Sequence, residues 1–409
     1  MANTNYLILG GGIAGTTAAE DIRTKDPQGS ITILTEEGDR LYSRVMLPHY
    51  LRNEDSFEQL FLRKPEGYSE KQINLVTNTR VAKVDPANKK VTTTTGKDFP
   101  YEKLLIATGG KVNRLDNPGA NLPEVMYLRT LADAKKIKEQ INKSKEGVVI
   151  GGGFIGIEFA QSFVKNNLKT SAIVREEFFW GEVVGKNSGE LLSQILKENS
   201  VELITGGEVD EFVGEEKLEK VHLKSGKELT ADIAGVGIGI HLELDYLKDS
   251  GLVMKKGVVV NEFLETSIKD IWAAGDVAEF YDPVFNRYHV LGNWANASAQ
   301  GRAVGANMTG AREPYQTASM YSINIFGGNL SFLGDTEADS STEIIERGNV
   351  AEKKIARIFL REDRIVGASL INLPIERAFL SNLIKNRTKV TVAKEKLSDL
   401  TFSLDKLLT

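Results

Sequence analysis

The chain of 409 residues contains no cysteine. That absence excludes disulfides, thiolate metal sites, cysteine-ligated iron–sulfur clusters and any cysteine nucleophile on this chain. Histidine is also scarce: His49, His222, His241 and His289 are scattered without ligand spacing, so no protein-bound metal is expected. No apolar run is long enough to cross a bilayer. The first strand-like run starts at about Tyr6, too early to follow a signal peptide. A cytoplasmic protein without a membrane partner is therefore expected. A basic excess is missing as well. Lys and Arg number 51 against 56 Asp and Glu, a net charge of −5, so nucleic-acid binding is not expected. Low-complexity and proline-rich segments are lacking. What remains is an ordinary globular composition, 41% hydrophobic and 26% charged. The length exceeds one compact core and predicts two or three domains.

The informative feature is a motif that occurs twice. Tyr6-Leu7-Ile8-Leu9 leads into Gly10-Gly11-Gly12-Ile13-Ala14-Gly15, and Val148-Val149-Ile150 leads into Gly151-Gly152-Gly153-Phe154-Ile155-Gly156. Each copy reads as strand, glycine loop and helix, with helix-like stretches over 16–24 and 157–166. The first glycine allows the tight turn, the second lets backbone approach a pyrophosphate, and the third lets the helix lie close to the strand. The helix N-terminus then offers N–H groups and partial positive charge to phosphate. A lone match is a weak signal. Two matches in the same context predict two dinucleotides on one chain, with electrons passing between them.

A second strand after each loop should end near an acid that holds ribose hydroxyls. After the first loop, Ser30-Ile31-Thr32-Ile33-Leu34 ends at Thr35-Glu36-Glu37. Glu36 or Glu37 fills that role and favours a nucleotide with a free 2′-hydroxyl, such as FAD. After the second loop, Thr170-Ser171-Ala172-Ile173-Val174 ends at Arg175-Glu176-Glu177. Arg175 stands where an acid would read NADH, and arginine there can pair with the 2′-phosphate of NADPH. Glu176 lies one residue on and can still serve NADH. The plainer reading of Arg175 is a solvated surface residue.

Three more segments carry a family resemblance. Tyr101-Glu102-Lys103-Leu104-Leu105-Ile106-Ala107-Thr108-Gly109-Gly110 looks like the strand and turn that close the first FAD segment of two-dinucleotide flavoprotein reductases. Ala231-Asp232-Ile233 through Gly237-Ile238-Gly239 resembles the strand returning from their NAD(P) domain. Thr266 through Trp272-Ala273-Ala274-Gly275-Asp276 resembles their second FAD signature. From residue 1 to about 310 the chain resembles the FAD-dependent pyridine nucleotide oxidoreductases. The stretch Leu41-Tyr42-Ser43-Arg44-Val45-Met46-Leu47-Pro48-His49-Tyr50-Leu51 places it near one branch. It is similar to the Tyr-x-Arg-x-x-Leu segment of rubredoxin and ferredoxin reductases, of apoptosis-inducing-factor-type proteins and of the flavin half of nitrite reductases. Other branches place a redox cysteine nearby. Without cysteine, disulfide reduction and cysteine-sulfenate peroxidase chemistry are excluded.

The resemblance implies an α/β fold: two Rossmann-like, glutathione-reductase-like dinucleotide-binding domains and a small C-terminal αβ domain. The FAD domain would span 1–113 and 243–310, the NAD(P)H domain 114–242 and the tail 311–409. Gly10, Gly12, Ala14 and Gly15 would cradle the FAD pyrophosphate, with Glu36 on the adenosine ribose. Arg44 would contact the phosphates or ribityl side, and the backbone near Val81 the adenine. Thr108 and Gly109 would close the site. Gly275 and Asp276 would hold the ribityl hydroxyls. Gly151, Gly153, Phe154, Ile155 and Gly156 would carry the NAD(P)H pyrophosphate, with Gly237 on the returning strand and Arg175 at the ribose. In electron-transferring relatives a lysine by flavin N5 pairs with a glutamate of the second loop's helix. Here Glu158 matches that glutamate and His49 stands at the lysine position, where it could change charge near neutral pH. The other reading of His49 is packing.

The tail has no glycine loop. Strand-like runs fall at 322–326, 329–333, 356–360 and 365–371, with a helix over 374–385. Such a domain in the family serves dimerisation, so a homodimer is an option, or shapes the open face of the flavin. The stretch Gly292-Asn293-Trp294-Ala295-Asn296-Ala297-Ser298-Ala299-Gln300-Gly301 resembles the helix that reaches the flavin, and Trp294 would lie near the ring or pack in the core. The expected function is hydride transfer from NADH or NADPH to FAD, then electron transfer to an external acceptor such as rubredoxin or ferredoxin, a small iron-containing carrier. Two alternatives remain open: an NAD(P)H oxidase or diaphorase, and a flavin-based redox sensor.

Overall fold

The computed structural model describes residues 4–390 and 394–407. Its contacts group the chain into two compact units, one of Met1–Ser43, Glu58–Lys111 and His241–Ser319, the other of Arg44–Phe57, Val112–Ile240 and Met320–Thr409.

The first unit is built on a parallel sheet in the order Ile73–Val76, Ile31–Leu34, Thr4–Leu9, Asp98–Ile106, with Ile271–Ala273 also paired to the last of these. Strands of such a sheet are covered on both faces, so they are apolar along their length rather than alternating. Leu7, Ile8, Leu9, Leu104, Leu105 and Ile106 are all fully buried. The strand Asp98–Ile106 is long enough to serve two sheets. Its second half runs parallel to Thr4–Leu9, and its first half pairs antiparallel with Lys90–Thr93, which continues to Val81–Asp85. The helices Ile13–Lys25 and Trp294–Met308 belong to the same unit.

The second unit repeats the plan. Its parallel sheet runs Val201–Ile204, Lys169–Ile173, Glu146–Ile150, Ile233–Val236, Val125–Tyr127. The helix Phe154–Lys165 follows its glycine loop. A three-stranded antiparallel piece, Val209–Val213 with Lys220–Leu223 and Glu228–Thr230, falls in the chain between Val201–Ile204 and Ile233–Val236. The tail supplies an antiparallel sheet in the order Met320–Ile325, Gly328–Gly334, Arg364–Ile371, Lys354–Arg361, Glu343–Asn349, with the helix Pro374–Lys385 buried on it through Leu380, Leu383 and Ile384. The expected tail elements are present. The strand Glu343–Asn349 was not expected, because Glu343, Glu346, Arg347 and Asn349 break its apolar pattern.

The grouping separates residues that the sequence reading assigned to one cofactor. Arg44 and His49 lie in the stretch Arg44–Phe57, which clusters with the second unit, and so does the tail. Among the described residues no helix is long and apolar enough to cross a membrane.

Candidate functional site

The two glycine loops have the same geometry. Gly10 has φ +112°, and a Cβ there would lie 2.2 Å from the Ala107 carbonyl oxygen. Gly151 has φ +110°, and its Cβ would lie 2.2 Å from the Gly237 carbonyl oxygen. Glycine is required at both, for backbone conformation and for the approach of the returning strand. At the end of each motif the helix closes down on the loop. A Cβ on Gly15 would meet the Gly10 carbonyl oxygen at 2.0 Å, and one on Gly156 the Gly151 oxygen at 2.1 Å.

Gly12 and Gly153 differ from these. A Cβ on either would meet nothing within 4 Å, and both have negative φ, so neither strain nor packing demands glycine there. Each is also the N-cap of its helix and offers no side chain to the helix's first N–H groups. Two other helices carry a side-chain cap, whereas the starts of Lys186–Glu198 and Pro374–Lys385 also lack one. Thr130 and Asp133 form a capping box on Leu131–Ile141, and the Asn293 side chain accepts from Asn296 N–H at 2.8 Å. Two uncapped helix starts facing open space suit phosphate, whose oxygens can accept those N–H groups. The residues present therefore fit a dinucleotide at each loop.

Around the first loop the expected residues other than Arg44 and His49 fall in one unit. Glu36 is half exposed and pairs with Arg80 at 3.0 Å and Lys111 at 3.4 Å. Glu37 accepts from the Tyr42 hydroxyl. Val81 opens its strand one residue after Arg80. The Thr108 hydroxyl lies 3.0 Å from that of Tyr246, and Gly109 has φ +68°. Asp276 is partly exposed whereas Gly275 and Val277 on either side are buried. The Gly275 N–H donates to Gln300 Oε1 at 2.7 Å, which fixes the turn that presents Asp276. Gln300 is fully buried on the helix Trp294–Met308. No sequence signal marked Gln300 or Tyr246, since both act through tertiary contacts. Trp294, at the start of that helix, is partly exposed and is not a core residue.

Around the second loop Arg175, the residue expected at the ribose, is largely exposed and 3.6 Å from Glu208. Glu158 is the residue with the most altered environment. Burial pushes its carboxyl above the usual range, and the Arg52 guanidinium opposes that. Glu158 hydrogen-bonds Arg52 as a buried ion pair, and Arg52 also donates to Glu54 at 3.0 Å. His49 was expected to be the partner of Glu158. Instead its Nδ1 lies 3.1 Å from Asp55 and its side chain is 44% exposed. The helix Leu47–Leu51 is a single turn that buries Leu47, Pro48 and Leu51. Its end is held by Lys138 Nζ and Asn166 Nδ2, both donating to the Leu51 carbonyl, at 2.7 and 2.9 Å. Arg52 thus reaches the acid from just past the helix end. Arg44 donates to the Arg129 carbonyl at 2.5 Å.

Phe154, the first residue of its helix, sits in an aromatic cluster that sequence reasoning missed. Its ring is 4.4 Å from Trp180 and 5.0 Å from Tyr321, and Tyr321 stacks on Phe332 at 5.1 Å and 14°. Burial pushes the Tyr321 phenol up to about 12. Among the described residues no group of three or more His, Asp or Glu could hold a metal.

The sequence matches the family model for the pyridine nucleotide-disulphide oxidoreductases over residues 4–301, and the reductase C-terminal model over residues 324–408. It is 28% identical over 403 residues to putidaredoxin reductase CamA of Pseudomonas putida, covering 95% of this chain and 93% of that protein. It is 30% identical over 372 residues to the NADH-rubredoxin oxidoreductase of Clostridium acetobutylicum, covering 91% and 92%. Its fold is similar to that of the covalent putidaredoxin reductase–putidaredoxin complex, with TM-score 0.92, 27% identity and coverage of 100% and 99%. A ferredoxin reductase of Rhodopseudomonas palustris gives TM-score 0.90 and 27% identity over the whole of both chains.

Proposed function

The chain belongs to the pyridine nucleotide-disulphide oxidoreductase family, as an NAD(P)H-dependent oxidoreductase that uses FAD; from this premise we propose that its electrons pass to a small iron-containing carrier such as a rubredoxin or ferredoxin. The observation that carries this reading is the pair of matching, uncapped glycine loops on a chain without cysteine. Bound FAD supplies the chemistry that takes a hydride and gives up electrons singly. The chain supplies binding and orientation, and with no thiol it contributes no second redox group of that kind.

In this reading Gly10, Gly12, Ala14 and Gly15 present the first helix's N–H groups to the FAD pyrophosphate, and Glu36 accepts from the adenosine ribose. Val81 lies at the adenine end. Thr108, Gly109, Gly275 and Asp276 hold the flavin side, with Gln300 fixing the Gly275 turn. The FAD region is assigned to 1–113 with 243–310, the NAD(P)H region to 114–242 and the accessory domain to 311–409. Gly151, Gly153, Phe154, Ile155 and Gly156, with Gly237 behind the first of them, present the second helix to NAD(P)H. Arg52 faces Glu158 and opposes the effect of its burial. His49 is assigned a supporting role on the charge of that pair.

The relatives named above take rubredoxin or are complexed with putidaredoxin, which supports a carrier of that chemistry. The test is anaerobic reduction of the FAD-loaded protein followed by stopped-flow mixing with a rubredoxin, a ferredoxin or oxygenated buffer. Reoxidation by one carrier at least a hundredfold faster than by oxygen is expected. Fastest reoxidation by oxygen would make the protein an oxidase and overturn the carrier reading.

A further inference from the structure

The two halves of the chain share a hydrogen-bond register that extends beyond the loops, and it fixes which residue faces each ribose. Gly10 N–H donates to the Leu34 carbonyl at 2.8 Å, and Gly151 N–H to the Ile173 carbonyl at 3.0 Å. The next residues, Thr35 and Val174, lie under the second glycine of each loop. A Cβ on Gly11 would touch Thr35 Cβ at 3.0 Å, and one on Gly152 would touch Val174 Cγ1 at 3.1 Å. Thr35 O then accepts from Thr79 N–H and Val174 O from Gly207 N–H, at 2.8 and 2.9 Å. The residue after that is Glu36 in one half and Arg175 in the other. One step further, Glu37 O accepts from Asn78 N–H and Glu176 O from Gly206 N–H. Arg175 therefore occupies the position of the ribose acid, with no slip in register.

The acid one residue on is already engaged elsewhere. Glu176 Oε2 accepts from the Glu182 N–H at 2.7 Å and is spent on the short helix Gly181–Val184. The same holds in the first half, where the Glu37 carboxylate takes the Tyr42 hydroxyl. Arg175 itself is free to engage. Its side chain is 77% exposed, and its ion partner Glu208, at 3.6 Å, is already held by Lys224 at 2.5 Å. An exposed pair of that kind is weak, whereas a phosphate dianion accepts two parallel N–H groups from a guanidinium.

We infer that the second loop takes NADPH in preference to NADH, with Arg175 pairing with the 2′-phosphate. NADH would bring a 2′-hydroxyl to a position whose own residue is a guanidinium and not a carboxylate. The inference rests on the reading of the second loop as the NAD(P)H site, and it can fail separately from that reading.

Two measurements separate the cases. Calorimetric titration with 2′,5′-ADP and 5′-AMP reads the ribose position without the flavin. Anaerobic stopped-flow reduction of the FAD-loaded protein by NADPH and NADH reads the working enzyme. At least tenfold tighter binding of 2′,5′-ADP and at least a tenfold higher reduction efficiency with NADPH are expected. Arg175→Glu, an exposed substitution, should reverse the order of the dinucleotides. Glu208→Gln should widen the NADPH preference by releasing the guanidinium. Equal binding of the two fragments, faster reduction by NADH, or an unchanged ratio in Arg175→Glu overturns the inference, and rapid reduction by NADH would leave the proposed function standing. Preferential 2′,5′-ADP binding with no flavin reduction by either dinucleotide would support the inference and overturn the function.

Discussion

Removing Arg52 would strand a buried carboxylate. Breaking a buried pair from one side costs about 3–5 kcal/mol, because the remaining charge keeps its desolvation penalty. Arg52→Gln is therefore expected to lower chemical-denaturation stability by about that amount. The pH dependence follows from the sign of the shift. The Glu158 carboxyl already lies above its ordinary value through burial, so the folded state holds that proton more tightly than the unfolded chain. Its contribution is full below the ordinary value and is lost as pH rises through the raised one. Arg52→Gln should raise the carboxyl further, so that stability keeps falling across a wider span of rising pH. The double variant Arg52→Gln/Glu158→Gln should lose that dependence, and a slope that persists would assign it to another group. The glycines give a second contrast. Gly10→Ala meets both a positive φ and a carbonyl oxygen at 2.2 Å, so the apoprotein itself should be destabilised. Gly12→Ala meets open space, so apoprotein stability should stay within about 0.5 kcal/mol. FAD affinity, read by flavin fluorescence, should fall at least tenfold. Normal FAD binding by Gly12→Ala would remove that residue from the pyrophosphate site.

Single residues also hold whole elements in place. Arg347 is almost fully buried in the strand Glu343–Asn349, paired with Glu376 at 2.9 Å. It donates to the carbonyls of Leu397 and Asp399 at 3.1 and 2.6 Å and of Phe402 at 2.6 Å. One guanidinium thus satisfies several carbonyls of the C-terminal segment. Arg347→Leu should cost at least about 3 kcal/mol, the cost of leaving a buried partner charge alone. Hydrogen exchange should quicken first over residues 394–407 and the helix Pro374–Lys385. Uniform acceleration through the unit would assign Arg347 to the global core instead. The C-terminal sheet is tied in turn to the second loop's helix. Gln161 donates to the Asn324 carbonyl at 3.1 Å and accepts from the Phe326 N–H at 2.8 Å.

At the scale of the molecule, two units with separate parallel sheets each carry one glycine loop. A ligand that binds only the folded form stabilises by mass action, about 2.7 kcal/mol at a hundred times its Kd. Calorimetry should therefore show FAD raising one unfolding transition and 2′,5′-ADP raising another. Equal displacement of a single transition by both ligands would mean that the units unfold as one. The net charge of −5 is small for 409 residues, so recognition of a partner should rest on local surface rather than on the overall field.

Much of this architecture was legible beforehand because it depends on local chemistry. A glycine loop between an apolar run and a helix is a short-range pattern. The runs 6–9, 30–34, 148–150 and 170–174 read as strands, and the structure has strands at 4–9, 31–34, 146–150 and 169–173, buried on both faces of their sheets. The lack of cysteine fixed which redox chemistry this chain cannot perform. The identity of the partner on Glu158 was decided only in three dimensions. A one-turn helix ending at Leu51 brings Arg52, and not His49, to the acid. The hydrogen bond from the Glu182 N–H to the Glu176 carboxylate likewise depends on the short helix Gly181–Val184, which no local pattern signalled. Sequence determines the residues available at such a site, whereas pairings between residues far apart in the chain depend on packing, which local pattern does not encode.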